Sequence, residues 1–124
     1  MECTEIGYVE TPFSTPDEAP RQGTFESTPG TIHVAEPYRD GLTDFEAGHD
    51  VVVVWFADQA DRSELVSTKR GRGVFATRSP ARPNPICLTR CHVDSVDRHT
   101  GEVSVTGVDM VDGSPLLDLK PPVD

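Results

Sequence analysis

Residues 85–109 read PICLTRCHVDSVDRHTGEVSVTGVD. Residues 102–109 alternate apolar and polar side chains, the period of a half-buried strand. Residues 85–96 form a second run of strand length, and DRHTG at 97–101 supplies a turn between the two. The stretch predicts a β-hairpin, and its neighbours extend the pattern. VVVVWF at 51–56 is β-branched, too short for a helix, and reads as a strand buried on both faces. EIGYVETP at 5–12 and TIHVA at 31–35 read as strands, as does PLLDLK at 115–120 after an Asp112-Gly113 turn. Residues 14–29, with three prolines, read as loop. Helix is expected only as a turn near 42–47 and a short surface segment over 58–68. Six to seven short strands separated by turns indicate an all-β barrel or sandwich, and closure into a barrel would leave no exposed edge.

Composition agrees. The chain has 124 residues, 35% of them hydrophobic, with 10 glycines and 11 prolines. That length suits one domain with one core over 1–124. The longest apolar run, residues 51–57, is far too short to span a membrane. The start, MECTEIGYVE, has neither a basic lead nor an apolar signal core, so a cytoplasmic location is expected. Three cysteines without a C-x-x-C pair argue against a disulfide framework and against a metal site, and buried structural thiols are expected instead.

The formal net charge is −10, from 21 acids against 11 bases, and Lys69 and Lys120 are the only lysines. An acid-rich, lysine-poor surface is that of a protein solvated in concentrated salt, so a halophilic source is expected. Against this background residues 66–93 contain no Asp or Glu and six bases, Lys69, Arg70, Arg72, Arg78, Arg82 and Arg90. Such separation within one small chain points to an anionic partner, RNA among the candidates, or to a solvated basic loop. Sequence motifs for nucleotide binding through a Rossmann glycine turn or a P-loop are missing, and so is a G-x-S-x-G elbow.

Three unusual clusters remain, APRQ at 19–22, FATRSPARPNPICL at 75–88 and GVDMVDGSPLLDLKP at 107–121. Pro80, Pro83 and Pro85 stiffen the middle one and remove amide donors. Arg78 and Arg82 offer planar donors suited to carboxylate or phosphate. Asp109, Asp112 and Asp118 offer partners for an amine, a ribose or a basic side chain. Two readings stand side by side: a site for a small zwitterionic ligand, or Arg–Asp pairs that pin loops at a barrel rim.

These clusters carry a family resemblance. GVFATRSPARPNPI at 73–86, preceded by IGYVETPF at 6–13 and PRQG at 20–23 and followed by residues 107–121, resembles the TsaA-like (YaeB) family of tRNA methyltransferases in content and order, over nearly the whole chain. The resemblance implies a small β-barrel that binds S-adenosylmethionine without a Rossmann fold, acting as a homodimer with its site near the subunit boundary. It implies methylation of the exocyclic nitrogen of threonylcarbamoyladenosine beside the anticodon of tRNA. Carried over position by position, cofactor contacts are expected at Pro20, Arg21, Gln22, Gly48, His49, Arg78, Leu88, Asp109, Met110, Val111 and Asp112. Asp112 and His49 are the candidate acid–base residues, because the acceptor nitrogen must lose a proton. Lys69, Arg70, Arg72 and Arg82 are the candidates for tRNA phosphates. The chain departs from the family at Cys87, where Gly usually follows PNPI, at Gly48, where Ser often precedes His, and at Pro122, where many relatives end in Tyr. A binding module without catalysis, or a methyltransferase with another acceptor, are the alternatives.

Overall fold

The computed structural model describes residues 1–19 and 27–123. The strands are β1 (Gly7–Glu10), β2 (Pro29–Val34), β3 (Asp50–Phe56), β4 (Val66–Ser67), β5 (Arg72–Gly73), β6 (Ile86–Asp97), β7 (Glu102–Thr106) and β8 (Ser114–Lys120). Six of them close an antiparallel barrel in the order β1-β2-β7-β6-β3-β8, and β4 and β5 form a separate ribbon. The seam joins the first strand to the last, with Val9 opposite Ser114 and Gly7 opposite Leu116. No helix among the described residues is long and apolar enough to cross a membrane.

Strand periodicity fills the barrel. Val51 and Val53 of β3 point inward, opposite Cys91 and Thr89 of β6. Val9, Ile32, Val93, Val103, Val105 and Leu116 complete the same core. Inward positions recur every second residue along β6 at 89, 91 and 93. A bulge between Val93 and Ser95 then restores Val96 opposite Val103, so the spacing of these valines matches one inserted residue, Asp94. The hairpin turn at 97–101 forms as expected. Asp97 Oδ1 accepts the amides of His99 and Thr100 at 3.0 and 3.2 Å, and Gly101 takes φ +78°.

Four expectations need correction. The strand expected to end at 109 stops at Thr106, because Gly107 turns the chain at φ +110° and donates its amide to Thr28 O at 2.8 Å. Residues 107–111 then cross the barrel mouth, with Val108 and Met110 buried and Asp109 and Val111 half-buried. β3 is buried on its inner face only. Val52 and Val54 are half-exposed, because this barrel is a single layer. The helical turn falls at Glu36–Leu42, where Pro37 sits in the first turn with its φ already set, and not at 42–47. No helix forms over 58–68. Asp61 Oδ1 accepts the Ser63 amide and hydroxyl at 2.9 and 2.7 Å, a local turn that competes with helix, and Val66–Ser67 pair with Arg72–Gly73.

Candidate functional site

The barrel rim beside the end of β3 carries the candidate site. There a cleft of about 390 Å³ lies between the 107–111 crossing, the proline-stiff connection before β6 and residues 57–60. Trp55, Ala57, Met110 and Val111 give it an apolar wall, and Lys69, Arg78, Asp58 and Asp109 supply charge. A shallower depression adjoins it, sharing Arg78 and Cys87 and reaching Arg82 and Leu88.

The connection is shaped by one arginine. Arg82 donates from Nη1 to Thr77 O and Ser79 O, both at 3.1 Å, and from Nη2 to Val74 O at 2.7 Å. Prolines deprive this segment of amide donors, and a guanidinium supplies them. Arg62 anchors the facing loop, donating to Pro83 O at 2.8 Å while its guanidinium lies 5.6 Å from the Phe56 ring. Arg78, by contrast, makes no hydrogen bond or ion pair with another described residue and is exposed at the cleft.

A chain of three side chains runs through the cleft wall, with Thr89 behind it and Trp55 and Asp109 at the cleft. Trp55 Nε1 donates to Thr89 Oγ1 at 2.9 Å, and Thr89 Oγ1 donates to Asp109 Oδ1 at 2.6 Å. Burial pushes the Asp109 carboxyl up from the ordinary carboxylate value, against the opposing effects of the Thr89 hydrogen bond, the Asp109 backbone amide and the Arg78 charge. Burial and the nearby Asp109 charge push the Cys87 thiol up to about 11 and Cys91 up to about 12. Cys91 is a buried thiol as expected, Cys87 is half-buried, and Cys3 is exposed, contrary to the expectation of buried thiols.

The expected site residues divide. Arg78, Asp109, Met110 and Val111 meet at the cleft, with Leu88 in the adjoining depression. Pro20, Arg21 and Gln22 lie outside the described residues, although Pro16 and Ala19 before them line the cleft. Asp112 is exposed, and its carboxylate accepts the Thr11 amide at 2.9 Å, tying the 107–113 segment to the strand β1 end. Gly48 and His49 precede β3 at the opposite end of the barrel. Six residues separate His49 from Trp55, roughly 20 Å of extended strand. Among the basic residues, Lys69 reaches the cleft, Arg70 and Arg72 are exposed on the β4–β5 ribbon, and Arg82 is committed to its carbonyls. Asp118 lies 3.8 Å from Lys120, away from the cleft. Sequence reasoning passed over Trp55 and Thr89. One signal was available for Thr89, a polar residue in phase with the inward positions 91 and 93.

A closed antiparallel barrel with a charged and apolar cleft at its rim, and no glycine fingerprint, belongs to the non-Rossmann ligand-binding barrels. Comparison with known proteins gives the particular family. The chain belongs to the family of the tRNA-methyltransferase O N-terminal domain, whose model matches residues 8–124. It is 50% identical over 124 residues to a probable S-adenosyl-L-methionine-binding protein of Halobacterium salinarum, with all of both chains covered. It is 33% identical to the tRNA (adenine(37)-N6)-methyltransferase of Escherichia coli, over 94% of this chain and 55% of that one. The crystal structure of TrmO from Pseudomonas aeruginosa superposes with a TM-score of 0.80 at 30% identity, covering 99% of this chain and 56% of that one. This chain therefore spans about half the length of those two relatives.

Proposed function

We propose that the protein is an S-adenosylmethionine-dependent methyltransferase acting on the exocyclic nitrogen of threonylcarbamoyladenosine beside the anticodon of tRNA. The observation that carries the reading is the cleft. It brings Arg78 and Asp109 together with an apolar wall containing Trp55, a set that fits the ligand named in the relatives. Arg78 suits its carboxylate and the Trp55 indole a purine face. When bound, S-adenosylmethionine supplies a methyl group on a cationic sulfur. The chain's own task is to hold donor and acceptor in line. The stiff connection pinned by Arg82 gives Arg78 a fixed base for that task.

The working unit is a homodimer in the cytoplasm. Gly48 and His49 lie too far along β3 to meet a ligand held at the cleft of the same chain. A second copy, placing its Gly48 and His49 beside the Leu88 depression, completes the set. Lys69, Arg70 and Arg72 form the face for RNA phosphates, which the remaining acidic surface would repel. A second reading, a cofactor-binding module without transfer, is favoured by the names of the relatives that match over most of their length.

The test is methyl transfer from labelled S-adenosylmethionine at high salt, run on tRNA with and without the threonylcarbamoyl group, with the product nucleoside identified by mass. Label on the modified adenosine alone is the expected result. Cofactor binding by folded protein with no label in either tRNA selects the binding module.

A further inference from the structure

Asp109 has a chemical role beyond lining the cleft, and the direction of its hydrogen bonds defines it. The indole Nε1 of Trp55 can only donate, so Thr89 Oγ1 accepts from it at 2.9 Å. The single Thr89 hydroxyl hydrogen is then directed to Asp109 Oδ1 at 2.6 Å, a short bond for a hydroxyl on a carboxylate. Thr89 is 6% exposed and stands behind the wall, whereas Trp55 and Asp109 both reach the cleft. The chain is therefore polarised outward, from Trp55 through Thr89 to Asp109. Oδ1 is held as an acceptor, and a proton arriving from the cleft ends on Oδ2.

We propose that Asp109 accepts the proton released in methyl transfer and that Thr89 is the residue that positions it. The proposal rests on the methyltransferase reading above. In the step, the exocyclic nitrogen forms a bond to the methyl carbon as the carbon–sulfur bond breaks. That bonding pair remains on sulfur, and the N–H proton passes to Asp109 Oδ2 and then to solvent. The other acid–base candidates are placed less well. The Asp112 carboxylate holds the Thr11 amide, and His49, at the far end of β3, would come only from a second copy and to the Leu88 depression, not to the cleft that Asp109 lines. Asp58 reaches the same cleft but is exposed.

The groups facing Asp109 set its proton affinity. Arg78 favours the anion, and Lys69 and Asp58 line the same cleft. Cys87 and Cys91 on β6 face it as neutral thiols, both held above the ordinary thiol value. Burial moves Asp109 toward the range in which an acceptor works near neutral pH.

Asp109→Asn, Thr89→Val and Thr89→Ser separate this role from a cofactor anchor. Each is measured for cofactor Kd by calorimetry, for kcat against pH with both substrates saturating, and for the Asp109 carboxyl titration by ¹³C NMR without ligand. Emission from Trp55, the only tryptophan, reports whether each variant is folded. Asp109→Asn, nearly isosteric, is expected to lower kcat by about 100-fold or more with Kd little changed. Thr89→Val removes a hydrogen bond to the anion, so the carboxyl titration and the acid limb of kcat both move to higher pH, and Thr89→Ser restores them. Full kcat in Asp109→Asn overturns the proposal. So does a large rise in Kd with kcat retained, which makes Asp109 an anchor. An unmoved carboxyl titration in folded Thr89→Val removes the positioning role. A wild-type protein that methylates no tRNA refutes the methyltransferase reading, and the proton-acceptor role falls with it.

Discussion

Replacing Arg82 with alanine tests whether this residue holds the loop or meets RNA. Its guanidinium donates to three carbonyls, Val74 O at 2.7 Å and Thr77 O and Ser79 O at 3.1 Å. A hydrogen bond of this kind is worth about 1 kcal/mol net, and somewhat more from a charged donor. Val74 O would keep the Thr77 amide at 3.1 Å and the Thr77 hydroxyl at 3.0 Å, so its loss is partly covered. Arg82 is also half-exposed, and water can replace part of the rest. The expected cost of Arg82→Ala is then about 2 kcal/mol, or roughly 8 °C in Tm for a chain of this size. Arg82→Lys should recover little, because one ammonium cannot span the three carbonyls. The assay is calorimetric unfolding in a fixed salt concentration, with tRNA binding measured across salt in parallel. Both Arg82 variants should lose stability and weaken cofactor binding through Arg78, while the salt slope stays constant. Arg70→Ala and Arg72→Ala should do the reverse, keeping Tm and flattening the slope by about one each. An Arg82→Ala protein with unchanged Tm and a slope reduced by about one would refute the loop-pin account and return Arg82 to the phosphate-binding face.

Other expectations follow from single groups. The raised Asp109 carboxyl favours the folded state while neutral and costs stability as pH rises from the ordinary value of 3.8 through its raised value. Asp109→Asn should therefore be more stable than wild type at neutral pH, with the gain vanishing in acid below that ordinary value, as read by Tm against pH. Gly101→Ala should cost about 2 kcal/mol or more, since φ is +78° and a new Cβ would collide with Val34 O, and equilibrium denaturation measures it. A thiol-reactive disulfide reagent near pH 8 should modify exposed Cys3 quickly, while Cys87 and Cys91 stay slow until unfolding. With a net charge of −10, Tm should rise with added potassium chloride and fall in dilute buffer.

Much of the barrel was legible because its strands announce themselves locally. VVVVWF is too β-branched and too short to be anything else, and DRHTG between two apolar runs makes a hairpin. The β4–β5 ribbon was not legible, since two-residue strands leave no period to read. The residues at 58–68 look helical until Arg62 is drawn to the Phe56 ring and to the Pro83 carbonyl, 21 residues further along the chain. At the site, Arg78 and Arg82 are the same residue type in one short motif, and only their surroundings separate a cleft-facing side chain from a loop pin. The Trp55–Thr89–Asp109 chain is drawn from three separate parts of the sequence, so no local pattern contains it.

The seam between β1 and β8 has a consequence for biosynthesis. A ribosome delivers residues 7–10 more than 100 residues before 114–120, yet these are neighbours across the closing ladder, tied further by the Ile6 amide to Leu116 O at 2.9 Å. Until the last strand emerges, the nascent chain can form at most an open sheet with two unpaired borders, on β1 and β3. A translational pause or premature stop before residue 114 would leave that template exposed to other chains. Emergence of β8 and closure of the barrel are thus a single event, and a fragment lacking β8 should be cleared or aggregate, not persist as a smaller barrel.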